Sequence, residues 1–253
     1  MKTRPPNTAA NQKHLKIEKL IYRGSGLGHH GGKAVFVPFS VPGDVVSWET
    51  VREKKRFIQG RLLDVLSPSP DRVEPLCPVF GRCGGCQWQH INYGIQLHWK
   101  NIIAAEILGK AASVSAEQVA AILPSPSPWH YRTRARLVWE AGRVGFYQNK
   151  SHRIIPVDSC ALLDSQLNAV LSVIKDALTV YPLARMGKEL LLEVGENGNP
   201  RVILRFRPDV SLKMGTLQST LREVISLAER EGFSLWIDAN GNGSAILLAG
   251  KDA

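Results

Sequence analysis

The sequence is short of several things, and each shortage excludes something. No uninterrupted apolar run approaches the roughly 18–20 residues a membrane helix needs, which excludes a helical membrane protein. Met1–Gln12 is polar and contains proline without an apolar core, so it does not read as a secretory signal. There are only four cysteines in 253 residues, and in a reducing cytosol two disulfides are not expected from them. No internal repeat is present, and low complexity is confined to two Pro/Ser stretches. Acidic residues are also scarce: 22 Asp+Glu face 32 Lys+Arg, a formal charge of +10. What remains is a hydrophobic content of 44%, close to the globular norm, which excludes disorder as the main state. The expectation is a soluble, cytoplasmic, monomeric protein of one large domain or two.

The charge is distributed unevenly. Residues 1–70 carry a net +7, residues 71–150 a net +4, and residues 151–253 a net −1. A chain that is positive over only its first three-fifths presents a directed field suited to a polyanion. A solvated basic face with no partner is the bland alternative.

Residues 15–66 read as four short strands, Leu15–Ile21, Lys33–Phe39, Val45–Val51 and Phe57–Leu66. Glycine-rich Gly24–Gly32 and the Pro42-Gly43 turn separate them, a pattern of a small closed, OB-like β-barrel. Gly24–Gly32 is read as a loop between strands. It opens no helix, as a nucleotide-binding turn must. Asn240-Gly241-Asn242-Gly243 is read as a hairpin turn. Ser67-Pro68-Ser69-Pro70 is stiff linker composition and is taken as the domain boundary. The expected organisation is a flexible 1–12, a barrel over 13–67 and a mixed α/β domain over 68–253, an α+β protein. In the second region Ile95, Trp99, Ile102, Ile103 and Ile107 predict a helix, as do Leu167 through Leu178 and Leu217 through Ala228. Ser115 with Gln118 predicts a capped short helix. Arg132–Trp139 and Arg143–Gln148 predict a hairpin, with further strands at Glu189–Val194, Arg201–Arg207, Ser234–Ile237 and Ala245–Ala249.

The cysteines, Cys77, Cys83, Cys86 and Cys160, are spaced C-x5-C-x2-C and then far away. Four thiolates suit a [4Fe–4S] cluster or a structural zinc, and Gly84-Gly85 lets the backbone pass close. Zinc on Cys77, Cys83, Cys86 and His90 is sterically possible, leaving Cys160 a buried thiol. Spacing alone leaves both readings open.

Cys77-Pro78-Val79-Phe80-Gly81-Arg82-Cys83-Gly84-Gly85-Cys86-Gln87-Trp88-Gln89-His90, with Gln96-Leu97 and Lys100, closely resembles the iron–sulfur signature of the RNA (uracil-5-)-methyltransferases. The resemblance is to the 23S ribosomal RNA branch, whose members begin with a TRAM domain. Phe36-Val37-Pro38 with Val41-Pro42-Gly43-Asp44-Val45 is similar to the TRAM barrel, and Ser69–Pro75 to the following linker. Trp129–Arg136, Gly145-Phe146-Tyr147, Ser151-His152 and Asp158-Ser159-Cys160 resemble the family's central domain. The match is strong from about Leu15 to Cys160 and weaker beyond. It implies a [4Fe–4S] cluster on Cys77, Cys83, Cys86 and Cys160, returning His90 to a packing role. It also implies ribosomal RNA as partner, at a single-stranded or loop uracil.

Methylation at uracil C5 requires a cysteine nucleophile, a carboxylate base and a site for S-adenosylmethionine. The cluster claims all four cysteines. No segment after Cys160 resembles the family's Asp-Pro-Pro-Arg loop or its glycine-rich methyl-donor turn. The expectation is therefore an N-terminal portion without its catalytic domain, incompetent alone. Completion by a separate methyltransferase chain and a standalone RNA-binding adaptor are the alternatives; a redox carrier is a weak fourth. For RNA contact, Arg132, Arg134 and Arg136 alternate on one predicted strand beside Trp129 and Tyr131. Arg23 and Lys33 flank the glycine-rich stretch, and Arg52–Arg56 reads as a solvated turn.

Overall fold

The computed structural model describes residues 13–180, 183–207, 219, 221–238 and 245–250. Two compact units divide the chain, one of Met1–Gly81 and Cys86–Ser125, the other of Arg82–Gly85 and Pro126–Ala253. The division does not fall at the Pro/Ser stretch after Ser67. The cause is a buried carboxylate: Asp44 accepts the Ser69 N–H (2.8 Å) and binds the Arg72 guanidinium, so the supposed linker is anchored to the first unit.

In the first unit six strands form one sheet: β1 (Lys13–Lys16), β2 (Lys19–Leu20), β3 (Ser25–His30), β4 (Lys33–Pro38), β5 (Val45–Glu53) and β6 (Phe57–Ser67). Their order is β1-β5-β6-β4-β3-β2, with β4 and β6 parallel. It is a curled half-barrel that fits the OB-like expectation: its end strands β1 and β2 are successive pieces of one segment, β1 pairing with β5 and β2 with β3. Alternating residues Leu15 and Ile17, Val35 and Val37, and Val46 and Trp48 fill its core. The glycine-rich stretch is not a loop. Ser25–His30 is a strand, and Gly31-Gly32, both with positive φ, make the tight turn into β4. Gly26 and Gly28 are needed for proximity, because a Cβ there would collide with Ser40 and Ile17, or with Lys16 and Leu15.

Helix α1 (Tyr93–Ala112) belongs to this unit, capped by the Asn92 side chain on the Gly94 N–H. It buries Ile103 in a second cluster with Leu20, Val41 and Ile91. The Ser115 box forms, with the Ser115 N–H on Gln118 Oε1 at 2.9 Å, but supports only a 3-10 turn, Ala116–Gln118.

The second unit is a seven-stranded mixed sheet in the order β13-β12-β11-β10-β7-β8-β9. Its strands are β7 (Arg134–Glu140), β8 (Arg143–Tyr147), β9 (Ile154–Pro156), β10 (Gly187–Val194), β11 (Pro200–Phe206), β12 (Ser234–Asp238) and β13 (Ile246–Ala249). Helices α2 (Ser165–Thr179) and α4 (Arg222–Glu231) cover one face, and the short α3 (Leu183–Met186) meets β7. That covered face carries Leu137, Trp139, Leu190, Leu192, Val202 and Leu204, all buried. Trp139 donates its indole N–H to the Leu178 carbonyl at 2.8 Å, and Gly187 gives its ring room. The expected Asn240–Gly243 turn, Leu217 and residues 1–12 lie outside the described residues. Among the described residues no helix is long and apolar enough to cross a membrane.

Candidate functional site

Each unit holds two of the four cysteines. In the first, Gln89 ties the pair: its amide donates to Cys86 Sγ at 3.2 Å, and its carbonyl oxygen accepts the Cys77 N–H at 3.3 Å. In the second, Cys83 pairs with Gln148 as an isolated β-bridge. Gly84 donates to the Tyr147 carbonyl at 2.9 Å, so close that a Cβ would stand 3.0 Å from that oxygen. Gly84 therefore serves approach to the end of β8, a use that spacing did not reveal. The Gly85 N–H points to Cys83 Sγ at 3.4 Å. Cys160 is clamped by Asn168 of α2, whose Oδ1 accepts the Cys160 N–H and whose amide donates to the Cys160 and Leu163 carbonyls, at 2.9–3.0 Å.

The four thiols form no disulfide. Amide donors at sulfur favour the thiolate, and a four-thiol set suits iron–sulfur or zinc chemistry. Among the described residues, no group of three or more His, Cys, Asp or Glu side chains is arranged to hold a metal ion. The zinc alternative through His90 does not form. That ring is buried between Phe80 at 5.4 Å and Phe39 at 6.3 Å.

The arginine stripe is shorter than expected. β7 begins at Arg134, while Arg132 is half-buried and held by its backbone to Leu162 and Asp164. Nor is β7 an edge strand, for it lies between β10 and β8. Arg134 and Arg136 do share a face, roughly 7 Å apart. They are 66% and 64% exposed and meet Glu193 at 3.3 Å and Glu189 at 3.9 Å. The register extends this into rows: Arg134, Glu193 and Arg201; then Glu189, Arg205 and Asp238, with Leu191, Ile203 and Trp236 between them. The Glu189 hydrogen bond holds Arg205 still more firmly protonated than usual, Asp238 adding to it. Arg201 also lies 5.1 Å from the Trp236 ring. Sequence reasoning missed these partners because they arrive from β10 and β11, fifty or more residues away.

In the first unit Arg23 and Lys33 do not flank one loop but stand at opposite ends of β3. Arg23 is exposed beside the Tyr22 ring, and Lys33 bonds Glu53 at 2.5 Å. Arg52, Lys54, Lys55 and Arg56 are exposed at the β5–β6 turn, as expected.

Residues 14–70, the span of the curled sheet, match the TRAM domain of tRNA (uracil(54)-C(5))-methyltransferases. An uncharacterised RNA methyltransferase of Aquifex aeolicus is 32% identical over 228 residues, 90% of this chain and 51% of the relative. The 23S rRNA (uracil(1939)-C(5))-methyltransferase RlmD of Shewanella halifaxensis is 33% identical over 217 residues, 82% of this chain and 48% of that protein. The chain belongs to the TRAM-domain RNA (uracil-5-)-methyltransferase family. The fold agrees with a crystal structure of Pyrococcus abyssi tRNA (uracil-54, C5)-methyltransferase in complex with S-adenosyl-L-homocysteine. The TM-score is 0.61 at 22% identity, over 95% of this chain and 54% of that one. The expectation that the strong match ends near Cys160 is corrected by this coverage, which takes in 90–95% of the chain and so runs well past that residue. The chain spans about half the length of the curated relatives it matches.

Proposed function

We propose that this chain binds RNA for methylation at uracil C5, with S-adenosylmethionine as methyl donor and ribosomal RNA as substrate. The observation that supports it most is the coincidence of the matched TRAM span, residues 14–70, with one folded sheet whose sequence is strongly basic. Arg23, Lys33, Arg134 and Arg136 are the proposed phosphate contacts, with Arg132 two residues before them. On the second sheet four guanidinium groups face three carboxylates, so cationic charge remains after pairing. The exposed pairs of Arg134 and Arg136 are worth about 0–1 kcal/mol, and a phosphate displaces them readily. The test is a gel shift with a uridine-containing single-stranded RNA. Binding at low salt that disappears at high salt is expected, and no binding at low salt overturns the reading.

Cys77, Cys83, Cys86 and Cys160 are proposed to hold a [4Fe–4S] cluster, which supplies a cross-link within the fold. Gln89 and Asn168 orient their loops, and Gly85 and Gln89 donate toward sulfur. Anaerobic purification should yield about four iron and four sulfide per chain. Cys160→Ser should lose them and lower the melting temperature. A colourless, zinc-loaded protein, or full iron retention in Cys160→Ser, contradicts the cluster.

A further inference from the structure

Tyr22 is 65% exposed, more than any other Phe, Trp or Tyr among the described residues. None of the contacts proposed above uses it. One exposed ring is ordinary on a protein surface. Three features around this one are not.

The first is its mounting. Leu20, two residues earlier, is buried with Val41, Ile91 and Ile103. Gly24, two residues later, is buried against Trp88, and a Cβ there would stand 2.5 Å from the indole nitrogen. Between these anchors the chain makes a single 3-10 turn, Tyr22–Gly24. The Gly24 N–H closes it on the Ile21 carbonyl at 2.9 Å, and the Ile21 N–H bonds the Ser25 carbonyl at 3.0 Å. Tyr22 and Arg23 therefore stand in solvent on a backbone fixed from both sides.

The second feature is Arg23 itself. Its φ is +69°, in the left-handed region that favours glycine. Strain of this kind gathers where a side chain is put to use. The Arg23 side chain makes no hydrogen bond or ion pair among the described residues, and its guanidinium lies 5.7 Å from the Tyr22 ring centroid. Glu18, the carboxylate nearest in sequence, bonds His29 instead, at 3.0 Å.

The third is the charge around the turn. Lys100 is exposed and places its ammonium 5.8 Å from the centroid of Trp88, the ring on which Gly24 rests. Residues 1–70 carry a net +7. An exposed ring beside a free guanidinium in a positive field suits single-stranded nucleic acid, where the ring takes a base and the cation a phosphate. An acidic peptide would satisfy the guanidinium but not the ring.

We propose that Tyr22 stacks one base of single-stranded RNA while Arg23 holds a neighbouring phosphate. The inference rests on the RNA-binding reading above, in which Arg23 is a phosphate contact, and adds a place for a base beside it.

The test compares two ten-nucleotide strands on the full chain, oligouridine and the same ribose–phosphate backbone without bases. Wild type should prefer oligouridine by about tenfold or more, since one stacked base is worth about that much. Tyr22→Ala should cut the preference by about tenfold, weakening oligouridine and leaving the baseless strand unchanged. Tyr22→Phe keeps the ring and should retain the preference. Tyr22→Leu, apolar but not planar, should lose most of it and replaces Tyr22→Ala should that variant melt early. Arg23→Gly suits the left-handed backbone and should melt no lower than wild type. It should weaken both strands alike and reduce the slope of log K on log salt by about 0.7. A preference unchanged in Tyr22→Ala, or kept in full by Tyr22→Leu, overturns the stack and leaves the RNA reading intact. A salt slope unchanged in Arg23→Gly overturns the phosphate contact. No binding of either strand to wild type overturns both readings.

Discussion

Arg72 in the first unit and Arg134 and Arg136 in the second are held in opposite ways. In the first, Arg72 is 21% exposed and locked to Asp44, which is fully buried and also accepts the Val41 and Ser69 amides. In the second, Arg134 and Arg136 are about two-thirds exposed, and their glutamates are shared with Arg201 and Arg205. The buried pair is a structural fastener, because removing one partner strands a charge or several donors in the interior. The exposed pairs of Arg134 and Arg136 are close to neutral for stability and stay exchangeable, as the phosphate contacts proposed for them require, whereas Arg205, 20% exposed on an Asp238 that is 1% exposed, is held much as Arg72 is. The number of ion pairs thus says little about what a charge does; the depth and the sharing of its partners decide.

The largest effect should come from breaking the fastener. Asp44→Ala leaves the Val41 and Ser69 amides and Arg72 without their acceptor and is expected to destabilise the first unit by about 3–5 kcal/mol, read from denaturant unfolding. A change below 1 kcal/mol would place this pair with the exposed pairs.

A second effect, nearly as large, belongs to the same interior. His90 has a folded pKa near 4 against an ordinary 6.5, so the unfolded chain binds the proton more readily. Its contribution to stability is complete above pH 6.5 and is lost as pH falls toward 4, by about 3 kcal/mol in all. His90→Phe should flatten stability over that window, and an unchanged slope in urea midpoints would show that another group titrates there.

On the exposed side the expected changes are small in stability and visible in binding. Glu193→Gln withdraws the carboxylate shared by Arg134 and Arg201. It should shift stability by less than about 1 kcal/mol while tightening RNA binding, measured at one fixed salt concentration. Weaker binding would mean that Glu193 positions these arginines instead of competing for them.

Much of this arrangement was legible before folding. The period-2 strands β4, β5 and β6, the α1 and α2 stripes and the β7–β8 hairpin at Gly142 form close to where the pattern puts them, because each is a local preference with an apolar face to bury. Ser25–His30 was missed since glycine lowers strand propensity, and only the neighbours Ile17, Ser40 and Leu15 explain why Gly26 and Gly28 must lack side chains there. The Ser67–Pro70 stretch has linker composition, yet Asp44, more than twenty residues earlier, ties it into the first unit. For the site, the cysteines stood out by spacing, whereas Gln89 and Asn168 had no signal beyond lying three and eight residues from a cysteine. The carboxylates opposite Arg134 and Arg136 depended wholly on strand order and register, which no local pattern encodes.

The most direct test of the claim that the paired, exposed arginines still hold RNA is the salt dependence of binding. Affinity for a single-stranded uridine-containing RNA is measured across roughly 50–200 mM salt in wild type and in the double variant Arg134→Ala, Arg136→Ala. The slope of log K on log salt should fall in magnitude by about 0.7 for each lost phosphate contact, with melting unchanged. An identical slope in the two proteins would show that Glu189 and Glu193 keep these arginines to themselves.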